Sequence, residues 1–212
     1  MERLFNYLKT QIEKLGVEVN WGRGIHPEEA ARMKADGVVI ACGTLPLIPT
    51  IRGLDSVQTI QANEALLGKH KVGQKVLIIG GGMAGCETAD YFSDQGKEVI
   101  GIEILEKMVV NMVPVLRRTL LDRLKKKGVV MLVGVKGERI ESRQMIGQDR
   151  EGKEHRIKAD TFILATGGIP RQGEWAGLKT TLGDKLFFVG DITGAQEILE
   201  AIAQGNRVGR II

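Results

Sequence analysis

Apolar positions near the start of the chain recur every three or four residues: Leu4, Tyr7, Leu8, Ile12 and Leu15, then Gly16. That spacing predicts one amphipathic helix with a glycine stop. Val17–Trp21 alternates apolar and polar residues as a strand does. Pro27-Glu28-Glu29 opens a short helix, with proline in the first turn and acids where the helix dipole favours them. Asp36–Gly43 predicts a buried strand running into a glycine turn. Residues 44–74 hold Pro46 and Pro49 and show no sustained period, so they are expected to connect two units.

The pattern then becomes more regular. Val76–Ile79 is all apolar, as in a strand buried on both faces of a parallel sheet. A glycine turn follows, then a helix over Cys86–Gln95 closed by Gly96. Glu98–Glu103 is the next strand. Pro114–Lys127 is amphipathic, with Val115, Leu116, Leu120, Leu121 and Leu124 on its inward face, and Val129–Val133 is a third strand. Residues 135–158 predict a short antiparallel excursion, with turns at Gly147 and at Glu151-Gly152. Asp160–Ala165 and Leu186–Val189 are further strands, and a last helix is expected from about Gln196 to Gln204. Alternating strands and helices predict an α/β, Rossmann-like, doubly wound parallel sheet, with ligands at the carboxyl ends of its strands. The strands that begin at Ala35 and Ala159 are two copies of one design, and the central unit lies between them.

Composition narrows the functional classes. The chain has 212 residues, 43% hydrophobic and 26% charged, an ordinary globular mixture. Apolar runs such as Thr161–Ala165 are far too short to span a bilayer. Aromatic residues make up 4%, too few for a platform that stacks single-stranded nucleic acid. Thirty basic minus 26 acidic residues leaves +4, spread along the chain. Neither a nucleic acid nor a membrane is therefore expected as a partner. Cys42 and Cys86 suit neither a disulfide scaffold nor a CxxC pair, and three scattered histidines build no metal cluster. The first residues lack the apolar core of a signal peptide, so a cytoplasmic location is expected.

Twenty-eight residues are glycine, roughly twice the usual share, and one cluster carries the chemistry. Gly80-x-Gly82-x-x-Gly85 follows a buried strand and opens a helix, the setting that makes this spacing a dinucleotide fingerprint. Gly80 permits the tight turn, Gly82 lets the backbone touch a diphosphate, and Gly85 lets helix and strand pack closely. With Gly81, Met83 and Ala84 they form a phosphate turn on a helix N-terminus. Glu103 ends the next strand, where a carboxylate accepts hydrogen bonds from a ribose 2′-OH and repels a 2′-phosphate. NAD(H) is therefore expected over NADP(H). The bland alternative is a glycine turn with no ligand beside a solvent-facing glutamate; the strand–turn–helix setting favours the ligand-binding reading over it. For the other candidates the bland reading is preferred. Lys125–Lys127 suits a helix C-terminus, Cys86 packs as a small hydrophobe, and His26, His70 and His155 have a satisfied or solvated surface role. No catalytic acid, base or nucleophile is assembled, so any reaction would be the cofactor's own.

Several ordered motifs together carry a resemblance. These are the turns Ala41-Cys42-Gly43 and Ala165-Thr166-Gly167, the GxGxxGxE stretch from Gly80 to Glu87, and Val189-Gly190-Asp191. They resemble the two-dinucleotide flavoprotein reductases of the pyridine-nucleotide–disulfide-oxidoreductase-like fold. Gly16-Val17-Glu18-Val19, Ile102–Leu105 and Ile198–Gly205 are similar to the C-terminal half of NADH:flavin oxidoreductases. That group includes 2,4-dienoyl-CoA reductase, 2-enoate reductase and trimethylamine dehydrogenase. The resemblance implies an NAD(H)-binding domain over 72–167 inserted into a partial FAD-binding domain, 1–71 and 168–212. It implies FAD contacts at Gly190 and Asp191, with Asp191 accepting a ribityl hydroxyl. It places the turns Cys42-Gly43-Thr44 and Thr166-Gly167-Gly168 at the crossings between domains, and Glu87 near the nicotinamide. Hydride would pass from NADH to FAD. The family's N-terminal FAD fingerprint, its FMN barrel and its iron–sulfur cysteines have no counterpart here. The chain is therefore expected to be a piece of a larger NADH:flavin oxidoreductase, with FMN and the cluster in a missing N-terminal portion or a partner subunit. The alternative is a free-standing, non-catalytic dinucleotide sensor.

Overall fold

The computed structural model describes residues 2–194 and 197–212. They form two compact units: Gly43–Pro170, and the two flanks up to Cys42 and from Arg171 onward. In the first flank, α1 (Glu2–Lys14) has no buried residue, and α2 (Pro27–Arg32) buries Ala30. β1 spans Val38–Ile40. Val17–Trp21 forms no strand, and Val17, Val19 and Trp21 are all exposed. Alternation prepares a strand, but a neighbouring edge must supply its hydrogen bonds, and among the described residues none does.

Residues 44–74, read as a connection, contain β2 (Thr44–Pro46), β3 (Thr59–Gln61) and α3 (Ala62–Leu66). β3 belongs to the main sheet, and the compact unit spans Gly43–Pro170. A three-residue strand is too short to show a period. The chain continues through β4 (Lys75–Ile79), α4 (Met83–Asp94), β5 (Glu98–Glu103), α5 (Pro114–Lys126) and β6 (Val130–Val133). β7 (Lys136–Glu141), β8 (Gln144–Gln148) and β9 (Glu154–Lys158) form the expected antiparallel excursion. β10 (Thr161–Leu164) returns to the main sheet, and β11 (Gly168–Pro170) pairs with β2.

The five parallel strands lie in the order β3-β10-β4-β5-β6. Val76 and Ile78 of β4 face α4 and α5, packing with Phe92 and Leu124. Leu77 and Ile79 face the other way, onto Ile140, Met145 and Ile157 of the antiparallel sheet. The parallel sheet is thus covered by helices on one face and by a second sheet on the other. The first β7–β8 turn is at Ser142-Arg143, both at positive φ, not at Gly147. Gly147 lies inside β8, where a Cβ would stand 2.6 Å from the Lys136 carbonyl oxygen. On α5 only Leu120 and Leu124 are buried, while Val115 and Leu116 are exposed.

α4 and α5 are tied by charge. Asp90 accepts hydrogen bonds from Arg123 at 3.0 Å and Lys127 at 2.7 Å. Burial would raise its carboxyl pKa, but those two donors outweigh it and hold the pKa below the usual carboxylate value. A depressed folded pKa means stability that is complete above the unfolded value, about 3.9, and lost as pH falls through the folded one. Asp90→Asn is expected to cost about 1 kcal/mol at neutral pH. The gap between variant and parent should close on acidification below that value, as read from urea midpoints. A gap that persists at low pH would refute the assignment.

The second flank holds α6 (Gln172–Trp175), α7 (Leu178–Leu182), β12 (Leu186–Phe188) and α8 (Ile198–Val208). β12 pairs in parallel with β1, and Ile40, Trp175, Leu178 and Ile192 form the core of this unit. The expected helix start at Gln196 lies outside the described residues. Among the described residues, no helix is long and apolar enough to cross a membrane.

Candidate functional site

The parallel strands β10, β4 and β5 end side by side at Leu164, Ile79 and Glu103, and the glycine turn leaves β4 there. The glycines differ in what makes them necessary. Gly80 has φ +112, and a Cβ on it would overlap the Ala165 carbonyl oxygen. A Cβ on Gly85 would overlap the Gly80 carbonyl oxygen, and one on Gly81 would overlap Met108 Sδ. At Gly82 an added Cβ meets no atom within 4 Å. Gly80, Gly81 and Gly85 are required by the protein's own packing. The space beside Gly82 is filled by nothing among the described residues.

Gly82 is also the N-cap of α4, which begins at Met83 rather than at Cys86 and has no side-chain cap. The Cys86 N–H bonds the Gly82 carbonyl at 3.0 Å. The amides of Met83, Ala84 and Gly85 precede it in the first turn and have no acceptor within the helix. Uncapped amides at the positive end of a helix dipole, beside open space, fit a diphosphate. Not all of the turn is available. The Gly80 N–H bonds the Ile102 carbonyl at 2.9 Å, and the Gly81 N–H bonds Glu103 Oε2 at 2.6 Å.

Glu103 is half-buried at the end of β5. Its Oε1 accepts the Leu105 N–H at 2.9 Å. Both oxygens are thus engaged by backbone amides, yet each retains a lone pair for a sugar hydroxyl. The spacing predicts this carboxylate at a ribose and gives no sign of its hold on the turn. Met108 and Val109, which contact Gly81, were missed as well, since no spacing or motif marks them. Glu87 is exposed on α4, and Met83 and Ala84 are exposed beside it. Cys86 is buried and its thiol is pushed up to about 11, chiefly by burial and then by the charges of Glu103 and Glu87. A thiol held that high is a packing residue, not a nucleophile.

The remaining sequence-derived candidates fall in two places. In the central unit, β2 and β11 bring Thr44 against Gly168, where a Cβ would overlap the Thr44 hydroxyl. Thr166 Oγ1 donates to the Leu47 carbonyl at 2.6 Å, and Gly43 and Gly167 adopt positive φ. In the flanking unit, Cys42 is half-buried against the core, two residues past β1. Gly190, at φ +76, donates its N–H to Gln204 Oε1 at 2.7 Å. Asp191 is exposed, and its carboxylate has no hydrogen-bond or ion-pair partner among the described residues.

A five-stranded parallel sheet with an uncapped glycine turn and a strand-end glutamate defines a dinucleotide-binding class. The chain belongs to the pyridine nucleotide-disulphide oxidoreductase family, whose model matches residues 2–205. It is similar to an NADH oxidase of Thermoanaerobacter brockii, 32% identical over 210 residues, which are 96% of this chain and 32% of that protein. A bilirubin reductase of Mediterraneibacter gnavus is 27% identical over 213 residues, 100% of this chain and 33% of that protein. Among solved structures, a 2-naphthoyl-CoA reductase in complex with 2-naphthoyl-CoA superposes with a TM-score of 0.84. It is 27% identical, and the match covers 96% of this chain and 31% of that one. The chain spans about a third of the length of these relatives. Family membership supports binding of FAD and NAD(P).

Proposed function

We propose that this chain is the dinucleotide-binding portion of a flavin-dependent oxidoreductase that takes reducing equivalents from NADH. The unit Gly43–Pro170 is its NAD(H)-binding domain, and the flanks contribute to an FAD-binding domain. The observation that carries this reading is the unfilled space beside Gly82 at the uncapped start of α4, with Glu103 ending the adjacent strand. The first-turn amides of Met83, Ala84 and Gly85 would receive the diphosphate, and Glu103 the adenosine ribose. Gly190 and Asp191, in the flanks, are the candidates for flavin contacts. When bound, NADH and FAD would supply hydride chemistry, and this chain's residues would bind and orient them. The final acceptor chemistry belongs to parts of a longer protein, in keeping with the length of the relatives.

Calorimetric titration with NADH and NADPH tests the site. NADH is expected to bind more tightly, because a 2′-phosphate would meet the Glu103 carboxylate. Equal or tighter binding of NADPH would sink the role given to Glu103. A flavin absorbance band that bleaches on adding NADH, with FAD supplied, separates an electron carrier from a pure nucleotide sensor.

Glu103→Ala is expected to weaken NADH binding by about 1–3 kcal/mol, since it removes the ribose acceptor and leaves the Gly81 N–H without its partner. Discrimination against NADPH should shrink in the same variant. Unchanged NADH affinity in that titration would count against the assignment.

A further inference from the structure

The segment between β5 and α5, residues 104–113, grips the phosphate turn from outside. The Met108 side chain occupies the place a Cβ on Gly81 would take. The Val109 N–H donates to the Gly81 carbonyl oxygen at 2.7 Å. Val109 is 3% exposed and has φ +50, a conformation that a β-branched residue keeps only where its surroundings impose it. One of those surroundings comes from α5: Arg117 Nε donates to the Met108 carbonyl at 2.7 Å. Arg117 forms no ion pair among the described residues, so this backbone carbonyl is its partner.

Peptide geometry turns that contact into an effect on the ligand. The Gly81 carbonyl and the Gly82 N–H belong to one planar, trans peptide unit, so they point in opposite directions. Holding the carbonyl inward on Val109 aims the Gly82 N–H outward, away from the 104–113 segment. The neighbouring unit is set in the same way, because the Gly81 N–H is held by Glu103. Both peptide planes that lead into α4 are therefore fixed from residues outside the glycine motif. We infer that Arg117 is a positioning residue for the dinucleotide, acting through Met108 and Val109 on the peptide plane between Gly81 and Gly82. The inference rests on the reading of this turn as the NAD(H) site.

The test compares the full chain with Arg117→Met, which keeps the aliphatic length and loses the donor. NADH affinity is measured by titration at a temperature where both are folded, and exchange of the Val109 amide by NMR. The Kd for NADH is expected to rise about three- to tenfold, the worth of one relayed hydrogen bond, with faster exchange at Val109. The loss should be equal at about 50 mM and about 500 mM salt, whereas a simple attraction between Arg117 and the diphosphate would be screened away. A variant that only lowers global stability would leave the Kd unmoved below its melting point. An unchanged Kd, or a loss that disappears in high salt, overturns the inference while the site stands. Failure of the unsubstituted chain to bind NADH removes the site and the inference together. If Arg117→Met does not fold, Arg117→Gln, too short to reach the same carbonyl, undergoes the same measurements with the same expected results.

Discussion

Gly82→Val is expected to fold normally and to lose NADH binding by about 3 kcal/mol or more, on the order of a hundredfold in Kd. Gly82 has φ −70 and ψ −172, an extended conformation open to any residue. Its added Cβ would meet no atom of the described residues within 4 Å. The stability cost is then limited to a poorer helix N-cap, about 1 kcal/mol. The branched side chain would instead fill the space through which a diphosphate reaches the first-turn amides of α4. Thermal melting and NADH titration on the same sample separate the two effects. A valine variant that binds NADH like the parent would remove the phosphate site from this turn.

Gly85→Ala is expected to fail in the opposite way, by losing stability. Alanine is the better helix former by about 1 kcal/mol, so propensity alone predicts a gain. The added methyl would overlap the Gly80 carbonyl oxygen and stand 3.3 Å from the Ala165 Cβ. The carbonyl is backbone and cannot swing aside, and Gly80 is itself pinned to Ile102 at 2.9 Å. Overpacking of this kind costs about 3 kcal/mol, which outweighs the propensity gain. A urea midpoint equal to or above the parent's would show that helix and turn are not in contact as described. Together the two variants would separate a glycine that the ligand requires from one that the fold requires.

The same distinction explains how much of this protein was legible in its residue pattern. β4, α4 and β5 were readable because each carries a signal longer than its own boundaries. These signals are a four-residue apolar run, three glycines at fixed spacing, and an acidic residue closing the next strand. β3 and α3 were not readable, since three strand residues and five helical ones display no period. β3 takes its identity from parallel pairing to β10, which lies about a hundred positions on, and α3 follows directly from it. Val17–Trp21 shows the converse, an alternation with no edge to pair with. Val115 and Leu116 fall on the apolar stripe of α5, yet only its later turns meet the sheet.

From residue order alone came the class of fold, the glycine turn between strand and helix, the strand-end carboxylate and the family resemblance. All of these depend on local spacing and on chain geometry that repeats wherever that spacing occurs. Only the tertiary structure decided that the central unit begins at Gly43, that a second sheet covers one face, and that Glu103 holds Gly81. It alone brought Val109 and Arg117 to the turn. Those facts depend on which distant groups meet, and the energy of such meetings is not written in the neighbours of any one residue.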